Sequence, residues 1–229
     1  MGFLMTGLRL ADQAYSGIVN LIAQRQLGVG DRLPSEARLA EMFGMSRSII
    51  RESLVRLASD GITEARKGAG SFVKHRPSDR LIAYAPSSEL SAILGTYEVR
   101  FVLESEAARL AAIRRSAVDL MAIEEALIKL REKLLSHEPA HVEDMELHRK
   151  IVQATANSAF LTAFEALFNE VDKVMRAGVE ISRARPPEVI GAMMREHEAI
   201  VDAIRAQDFE GAALAMRWHL WEGRKRLMP

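Results

Sequence analysis

Four residues in the C-terminal half of the sequence have the types and the spacing that bind a divalent metal ion. Asp144 and His148 are four positions apart in a segment of helical periodicity, so both side chains project from one face of the predicted helix. His197 is central in the next-to-last predicted helix, and His219 is late in the last one. Three imidazoles and one carboxylate suit a borderline cation, Zn²⁺ first and Ni²⁺ or Mn²⁺ as alternatives. Surface or capping histidines would give the same pattern, so that reading stays open.

A second group of chemically suited residues lies in segment 33–73, where arginines and hydroxyl side chains cluster at the start of a predicted helix. The cluster consists of two serines and two arginines, Ser46, Arg47, Ser48 and Arg51. A positively charged helix start of this kind is suited to the major groove of DNA. The segment therefore indicates a DNA-binding protein rather than a generic helical one.

Local signals predict the elements that position this cluster. Ser35 and Ser46 are suitable N-caps, because a serine hydroxyl accepts a hydrogen bond from an unpaired backbone N–H at the start of a helix. Gly44 ends the first of the two helices, since glycine adopts the left-handed cap conformation at little cost. Two helices joined by so short a turn must cross steeply, as in a helix-turn-helix. Ile62-Thr63-Glu64 and Ser71-Phe72-Val73 then flank a basic, glycine-bearing tip at 66–70, which predicts a β-hairpin, the wing.

The C-terminal part of the chain is almost entirely helical in pattern after a linker at 77–88 that contains proline and serine. Ala and Leu dominate and β-branched runs are absent, which predicts an antiparallel all-α bundle of six or seven helices. We therefore predict a mainly α fold with two domains. Residues 1–76 form a winged helix-turn-helix of three helices and a small β-hairpin, and residues 89–229 form the bundle. The bundle helices are predicted at 89–113, 117–135, 142–156, 159–183, 188–206 and 209–227.

Composition and charge narrow the class of protein. The 229 residues carry 31 basic and 31 acidic side chains. Residues 1–76 hold 11 basic and 7 acidic side chains, so a basic first domain precedes an acidic second one, which fits DNA contact at one end only. Cysteine is absent, which excludes disulfides and thiolate metal sites. No apolar run approaches about 18 residues and no signal peptide is indicated, so we expect a cytoplasmic protein without a membrane span.

A predicted helix at 10–24 and four motifs follow one another over residues 8–74: GDRLPSE, LAEMFGMSRSIIRESLVRL, DG and KGAGSFV. Their order and spacing resemble the winged helix-turn-helix of the GntR family of bacterial transcription regulators. The family usually has an arginine directly after S-E. Here Ala37 stands in that place and Arg38 follows, about 100° further around the helix, where we expect it to reach a phosphate. The resemblance implies DNA contacts by Ser46, Arg47, Ser48 and Arg51 of the helix and by Lys67 and Gly68 at the wing tip.

The second domain also resembles a known family, through motifs spread over about residues 89–227. They are Glu98-Val99-Arg100, Leu103-Glu104, Ala107-Ala108 and then D-x-x-x-H, H and H. This order resembles the FCD domain, the ligand-binding domain of the FadR subgroup of GntR regulators. The resemblance implies a metal held by Asp144, His148, His197 and His219, with a small carboxylate effector, an organic or sugar acid, at the open positions of the ion. Arg100 matches the family arginine that faces this cavity, and a helical Arg100–Glu104 ion pair is the alternative.

These inferences predict a homodimeric transcription regulator, a repressor rather than an activator, that binds a palindromic operator in double-stranded DNA. Effector binding at the metal would bias the placement of the two DNA-binding heads. Two alternatives stay open at this point. One is a metal-dependent enzyme that uses the Asp/His₃ site, although the sequence offers no nucleophile motif or phosphate loop. The other is a helical interaction module without an effector.

Overall fold

The computed structural model describes residues 2–77, 87–136, 138–168 and 186–227, and for residues 2–9, 87–94 and 227 it describes the backbone only. The chain forms two compact units, residues 1–95 with 225–229, and residues 96–224. In the described ranges, no helix is long and apolar enough to cross a membrane. Residues 78–86 of the predicted linker lie outside these ranges.

The N-terminal unit contains three helices, α1 (Gly2–Gln24), α2 (Glu36–Phe43) and α3 (Arg47–Ser59). The predicted caps are confirmed, because Ser35 and Ser46 each accept a hydrogen bond from the backbone N–H three residues further on. Gly44 ends α2 with a φ of 66°, in the left-handed region. Helix α1 begins at Gly2 and not at Leu10 as predicted, because Arg9, the residue before Leu10, is not a capping residue and residues 2–9 contain no proline.

The predicted hairpin is formed by β1 (Thr63–Arg66) and β2 (Gly70–Val73), which pair antiparallel. An extended segment at 30–33, which the sequence did not indicate, runs along the other edge of β2. The Leu33 N–H donates to the Ser71 carbonyl at 2.9 Å, and an isolated bridge joins Arg32 to Phe72. The wing is therefore held on both edges of β2, which makes it a firmer support for its tip than a two-stranded hairpin alone.

Helix α1 packs against α3 through an apolar stripe at helical spacing, made of Ala11, Ala14, Tyr15, Ile18 and Ile22. Leu39 of α2 and Ile50 and Leu57 of α3 are fully buried in the same unit. The Tyr15 hydroxyl also donates a buried hydrogen bond of 2.6 Å to Asp60 at the end of α3. These contacts fix α3 on the body of the unit and leave its first turns on the surface.

The helices of the C-terminal half lie close to their predicted bounds: α4 (Ser87–Arg114), α5 (Ala117–Leu135), α6 (His141–Gln153), a helical stretch at 158–168, α7 (Pro187–Arg205) and α8 (Phe209–Leu227). The second part of the predicted helix 159–183 lies outside the described residues. Helix α5 begins with a capping box between Ser116 and Asp119. The predicted fold, mainly α with a winged helix-turn-helix and a helical bundle, is confirmed.

One cluster of buried side chains from α4, α5, α6, α7 and α8 forms the core of the bundle. It includes Ala108, Ala111, Ile123, Leu130, Leu147, Ile151, Ile200, Ile204, Met216 and Leu220. His148 follows Leu147 in α6, and His219 precedes Leu220 in α8. Leu147 and Leu220 belong to this core, and the imidazoles of His148 and His219 are also nearly inaccessible to solvent.

Candidate functional site

The residues predicted to contact DNA lie together on the exposed start of α3. Ser46 caps this helix, and the side chains of Arg47, Ser48 and Arg51 are exposed on its first turns. The hydroxyls of Ser46 and Ser48 are 2.8 Å apart. Hydroxyls, guanidinium groups and the unpaired N–H groups of a helix start are the donors that bind phosphate oxygens and base edges.

Glu36, in the first turn of α2, holds Arg51 in a two-point ion pair. Arg51 Nε and Nη2 donate to the two carboxylate oxygens of Glu36 at 3.2 and 2.7 Å. This hydrogen bonding raises the pKa of the Arg51 guanidinium and lowers the pKa of the Glu36 carboxyl. Glu36 was not among the predicted site residues, because only the packing of α2 against α3 brings it to Arg51. Arg38, the arginine of α2 that was predicted to contact DNA, is exposed, and its guanidinium pairs with the Glu41 carboxylate at 2.6 Å.

Lys67 and Gly68 form the exposed tip of the wing, as predicted. The Ala69 N–H donates to the Arg66 carbonyl at 2.9 Å and closes the turn, in which Gly68 has a φ of 73°. Glycine is the residue that adopts this conformation without strain. Arg66 lies over the Phe72 ring at 4.2 Å and is paired with a carboxylate of its own strand, so it is held along the hairpin. Lys67 is therefore the cation that the tip presents.

Asp144, His148, His197 and His219 converge in the interior of the bundle, from α6, α7 and α8. One candidate ligand atom from each lies within 4.8 Å of the others. The three imidazoles are buried and the carboxylate is partly buried. The geometry brings together all four residues that the sequence singled out, in the described part of the chain.

Each imidazole of this cluster uses Nδ1 to bond an acceptor outside it. His148 donates to Glu104, His197 to the Met193 carbonyl at 2.8 Å, and His219 to Glu196 at 2.9 Å. A carbonyl or an ionised carboxylate can only accept, so each Nδ1 carries a proton and Nε2 is the ring nitrogen that remains as a candidate ligand atom. Metal-binding histidines are typically oriented in this way. The sequence did not indicate Glu104 and Glu196 as partners, because each lies on another helix from the histidine that it bonds.

Two buried Nε2 atoms of the cluster, those of His148 and His197, have no hydrogen-bond partner among the described residues. His197 Nε2 lies 2.9 Å from Asp144 Oδ1, but the angle at the ring nitrogen does not fit a hydrogen bond. An imidazole lone pair and a carboxylate oxygen this close repel each other unless a proton or a metal ion lies between them. Adjacent ligand atoms at about 2.1 Å from one ion are roughly 3 Å apart, so this donor set fits a metal ion.

The electrostatics of the cluster agree with that fit. Burial would raise the pKa of the Asp144 carboxyl, but the three imidazoles outweigh it, His197 most strongly, and the pKa is lowered. Burial and the neighbouring imidazoles lower the pKa of His219 to about 3, so this ring is neutral at pH 7. A carboxylate and a neutral imidazole are the protonation states that bind metal.

Arg100 lies beside the cluster in the buried ion pair with Glu104 that was the alternative to an effector contact. Arg100 Nε is 2.5 Å from Glu104 Oε1, and both side chains are buried. The guanidinium also lies over the rings of Tyr97 and Phe168, at 5.2 and 5.3 Å. Burial would raise the pKa of Glu104, but Arg100 and then His148 lower it to about 2, so this carboxylate is ionised.

Comparison with known proteins gives two family matches. The family of bacterial regulatory proteins called gntR matches residues 10–73, and the FCD domain matches residues 96–221. The L-lactate dehydrogenase operon regulatory protein of Escherichia coli K12 is 31% identical over 93% of this chain and 84% of its own length. The Uxu operon transcriptional regulator of the same strain is 30% identical over 92% and 84%. Among solved structures, a Streptococcus agalactiae GntR protein superimposes with a TM-score of 0.52 at 24% identity, over 94% of this chain and 99% of that one.

Proposed function

Because the chain belongs to the GntR family of bacterial transcription regulators, with an FCD domain over residues 96–221, we propose that it is a repressor whose operator affinity is set by a small carboxylate bound at a divalent metal. The matched relatives are operon regulators, so the chain is a transcription regulator and not a metal-dependent enzyme. The proposal rests on the cluster of Asp144, His148, His197 and His219, in which each imidazole bonds through Nδ1 to an acceptor outside the cluster.

For DNA, we assign the contacts to the start of α3, to α2 and to the wing tip. A homodimer would place two copies of α3 on a palindromic operator, one in each half-site. Each cation that neutralises a phosphate releases a counterion, so binding should weaken steeply with salt. A bacterial regulator of this kind acts in the cytoplasm, where the DNA lies. The assigned residues are Arg38, Ser46, Arg47, Ser48, Arg51, Lys67 and Gly68.

For the effector, we assign residues 89–229 as the sensing domain, joined through a linker at 77–88 to the DNA-binding domain at 1–76. Asp144, His148, His197 and His219 would hold the metal, Zn²⁺ in the first place and Ni²⁺ or Mn²⁺ as alternatives. A bound ion supplies a Lewis acid to which a carboxylate coordinates, and Arg100 would add a cation at the same place. One relative is named for an L-lactate dehydrogenase operon, and lactate is a small hydroxy acid of the class proposed here.

Regulation follows from linkage between the two sites. An effector shifts the equilibrium between two placements of the DNA-binding heads only if it binds one placement more tightly. By reciprocity, operator DNA must then change the affinity for the effector by the same factor. The proposed repressor therefore requires an acid that lowers operator affinity and whose own affinity is lowered by operator DNA.

Two measurements test the proposal. Bound-metal analysis of the purified chain should find about one Zn²⁺ per subunit, and Asp144→Ala and His197→Ala should lose it. Unchanged metal content in both variants would exclude the cluster as the site. For DNA, Arg47→Ala should weaken binding to a duplex operator selected from a random library, while Arg25→Ala, an exposed arginine at the end of α1, should not. Operator affinity of Arg47→Ala equal to that of the wild type would refute the assignment of Arg47.

A further inference from the structure

Arg100, Glu104 and His148 form a continuous chain of buried polar groups between α4 and α6. The exposed fractions of the three residues are 3%, 1% and 1%. One carboxylate oxygen of Glu104 accepts from Arg100 Nε, and the other accepts from His148 Nδ1 and from Arg100 Nη2. Within the described residues, the hydrogen bonds of Arg100 go to Glu104 alone.

We propose that Arg100 is a positioning residue for the metal centre, because it fixes Glu104 and Glu104 fixes the imidazole of His148. Arg100 then sets the affinity of the centre for its metal ion before any effector binds. The inference rests on the proposed metal site. It gives Arg100 a second role that contact with a carboxylate effector does not require.

The first step of this chain is the orientation of the ring. A histidine that ligates through Nε2 needs an acceptor for its Nδ1–H, which selects the tautomer and holds the ring plane. Glu104 is that acceptor for His148. Loss of such a partner typically weakens metal binding about 10- to 100-fold.

The second step is the orientation of the carboxylate. The last side-chain torsion of glutamate has no narrow preference, so the partners of its oxygens decide where they point. Arg100 holds the carboxylate at both oxygens, Oε1 through Nε and, at 3.4 Å, Oε2 through Nη2, and Oε2 also accepts from His148 Nδ1. A buried carboxylate that loses its cation becomes unpaired, and its orientation is no longer fixed. Rotation of the Glu104 carboxylate removes the acceptor that holds His148.

Arg100 itself is held rigidly enough to act as an anchor. The rings of Tyr97 and Phe168 lie 5.2 and 5.3 Å from the guanidinium carbon, and both contacts favour a cation. The other arginine pair of α4 differs, because Arg109 and Glu106 are only half-buried and touch none of the four candidate ligands. That pair has the same charges on the same helix, so it provides the matched control.

The experiment measures Zn²⁺ affinity of the full chain, without any organic acid, by competition with a chromophoric chelator. Arg100→Gln and Glu104→Gln should each weaken Zn²⁺ binding about 10- to 100-fold. The double variant should bind within about twofold of Glu104→Gln alone, since residues that act through one contact are not additive. Arg109→Gln should bind like the wild type. The visible spectrum of the Co²⁺-loaded protein should change in the Arg100 and Glu104 variants and stay unchanged in Arg109→Gln, because it reports the ligand geometry.

Arg100→Lys keeps the positive charge but not the two-point guanidinium geometry, so its Zn²⁺ affinity should lie between those of Arg100→Gln and the wild type. Zn²⁺ affinity of Arg100→Gln equal to that of the wild type would overturn the inference, and so would a full additional loss in the double variant. If Arg100→Gln fails to fold, the charge-neutral double variant and Arg100→Lys decide the question by the same comparisons. Equal Zn²⁺ affinity of wild type and Asp144→Ala would instead refute the metal site itself.

Discussion

Substitutions of Glu36 and Arg51 can separate two predicted roles of Arg51 in DNA binding, a direct contact with a base and a long-range attraction by its positive charge. Glu36 holds the Nε and Nη2 atoms of Arg51, so Nη1 and the second Nη2 hydrogen point away from the carboxylate. That outer edge keeps two donors, which is what a two-point contact with O6 and N7 of guanine requires. We therefore predict that Glu36 orients the guanidinium for DNA and does not block it.

The size of the effect follows from the same geometry. Loss of a two-point arginine–base contact weakens operator binding about 5- to 150-fold. Arg51→Ala also removes one positive charge, whereas the Arg51→Ala/Glu36→Gln variant leaves the net charge of the domain unchanged. Its loss of affinity therefore measures the contact alone. Glu36→Gln adds one net positive charge and frees the guanidinium, so random DNA should bind more tightly and the ratio of operator to random affinity should fall.

The assay is fluorescence anisotropy with a selected operator duplex and a random duplex, over a range of salt concentrations. If Arg51 contacts a phosphate instead of a base, the double variant loses equal affinity for both duplexes. Operator affinity equal to that of the wild type in Arg51→Ala and in the double variant would refute the assignment of Arg51. An unchanged ratio in Glu36→Gln would refute the orienting role of Glu36.

Three further predictions concern the metal and the stability of the N-terminal unit. Zn²⁺ at 100 times its dissociation constant should raise the melting temperature of the wild type, because binding to the folded state adds about 2.7 kcal/mol to the free energy of unfolding. The melting temperature of His197→Ala should not change with Zn²⁺, and a shift in that variant would contradict the site. Tyr15→Phe removes a buried hydrogen bond to the Asp60 carboxylate, so urea titration should show a loss of about 1.5–3 kcal/mol, and an unchanged midpoint would mean that the bond contributes nothing. Gly44→Ala places a side chain at a φ of 66°, so thermal unfolding should show a loss of about 1–2 kcal/mol in the free energy of unfolding. Gly28→Ala is the control and should cost less, because Gly28 has no positive φ.

Much of the N-terminal unit was predictable because its signals are local. Ser35, Ser46 and Gly44 act within one helical turn of their own positions, so their roles follow from residue type and order alone. The segment at 30–33 was not predictable in this way. Its pairing with β2 joins residues about forty positions apart, and its own sequence has no strand pattern.

The candidate metal site was likewise predictable only in part. Residue type and helical position single out all four residues, the spacing of Asp144 and His148 places both on one face of α6, and the resemblance to FCD domains implies that the four bind one metal. The structure brings the four together, while their role as metal ligands stays a prediction. The role of Arg100 as an effector contact also stays a prediction, because the ion pair with Glu104 does not exclude it.

The sequence by itself determined which residues could bind DNA or a metal, and on which helix each of them lies, because residue type and helical period are local properties. Only the tertiary structure decided what holds those residues in place. Glu36 meets Arg51 across 15 positions, Glu196 meets His219 across 23, and Glu104 meets His148 across 44. The physical reason is that each of these carboxylates lies on a different helix from its donor, so the contact forms only where the two helices pack together, and that packing depends on the whole core of the unit.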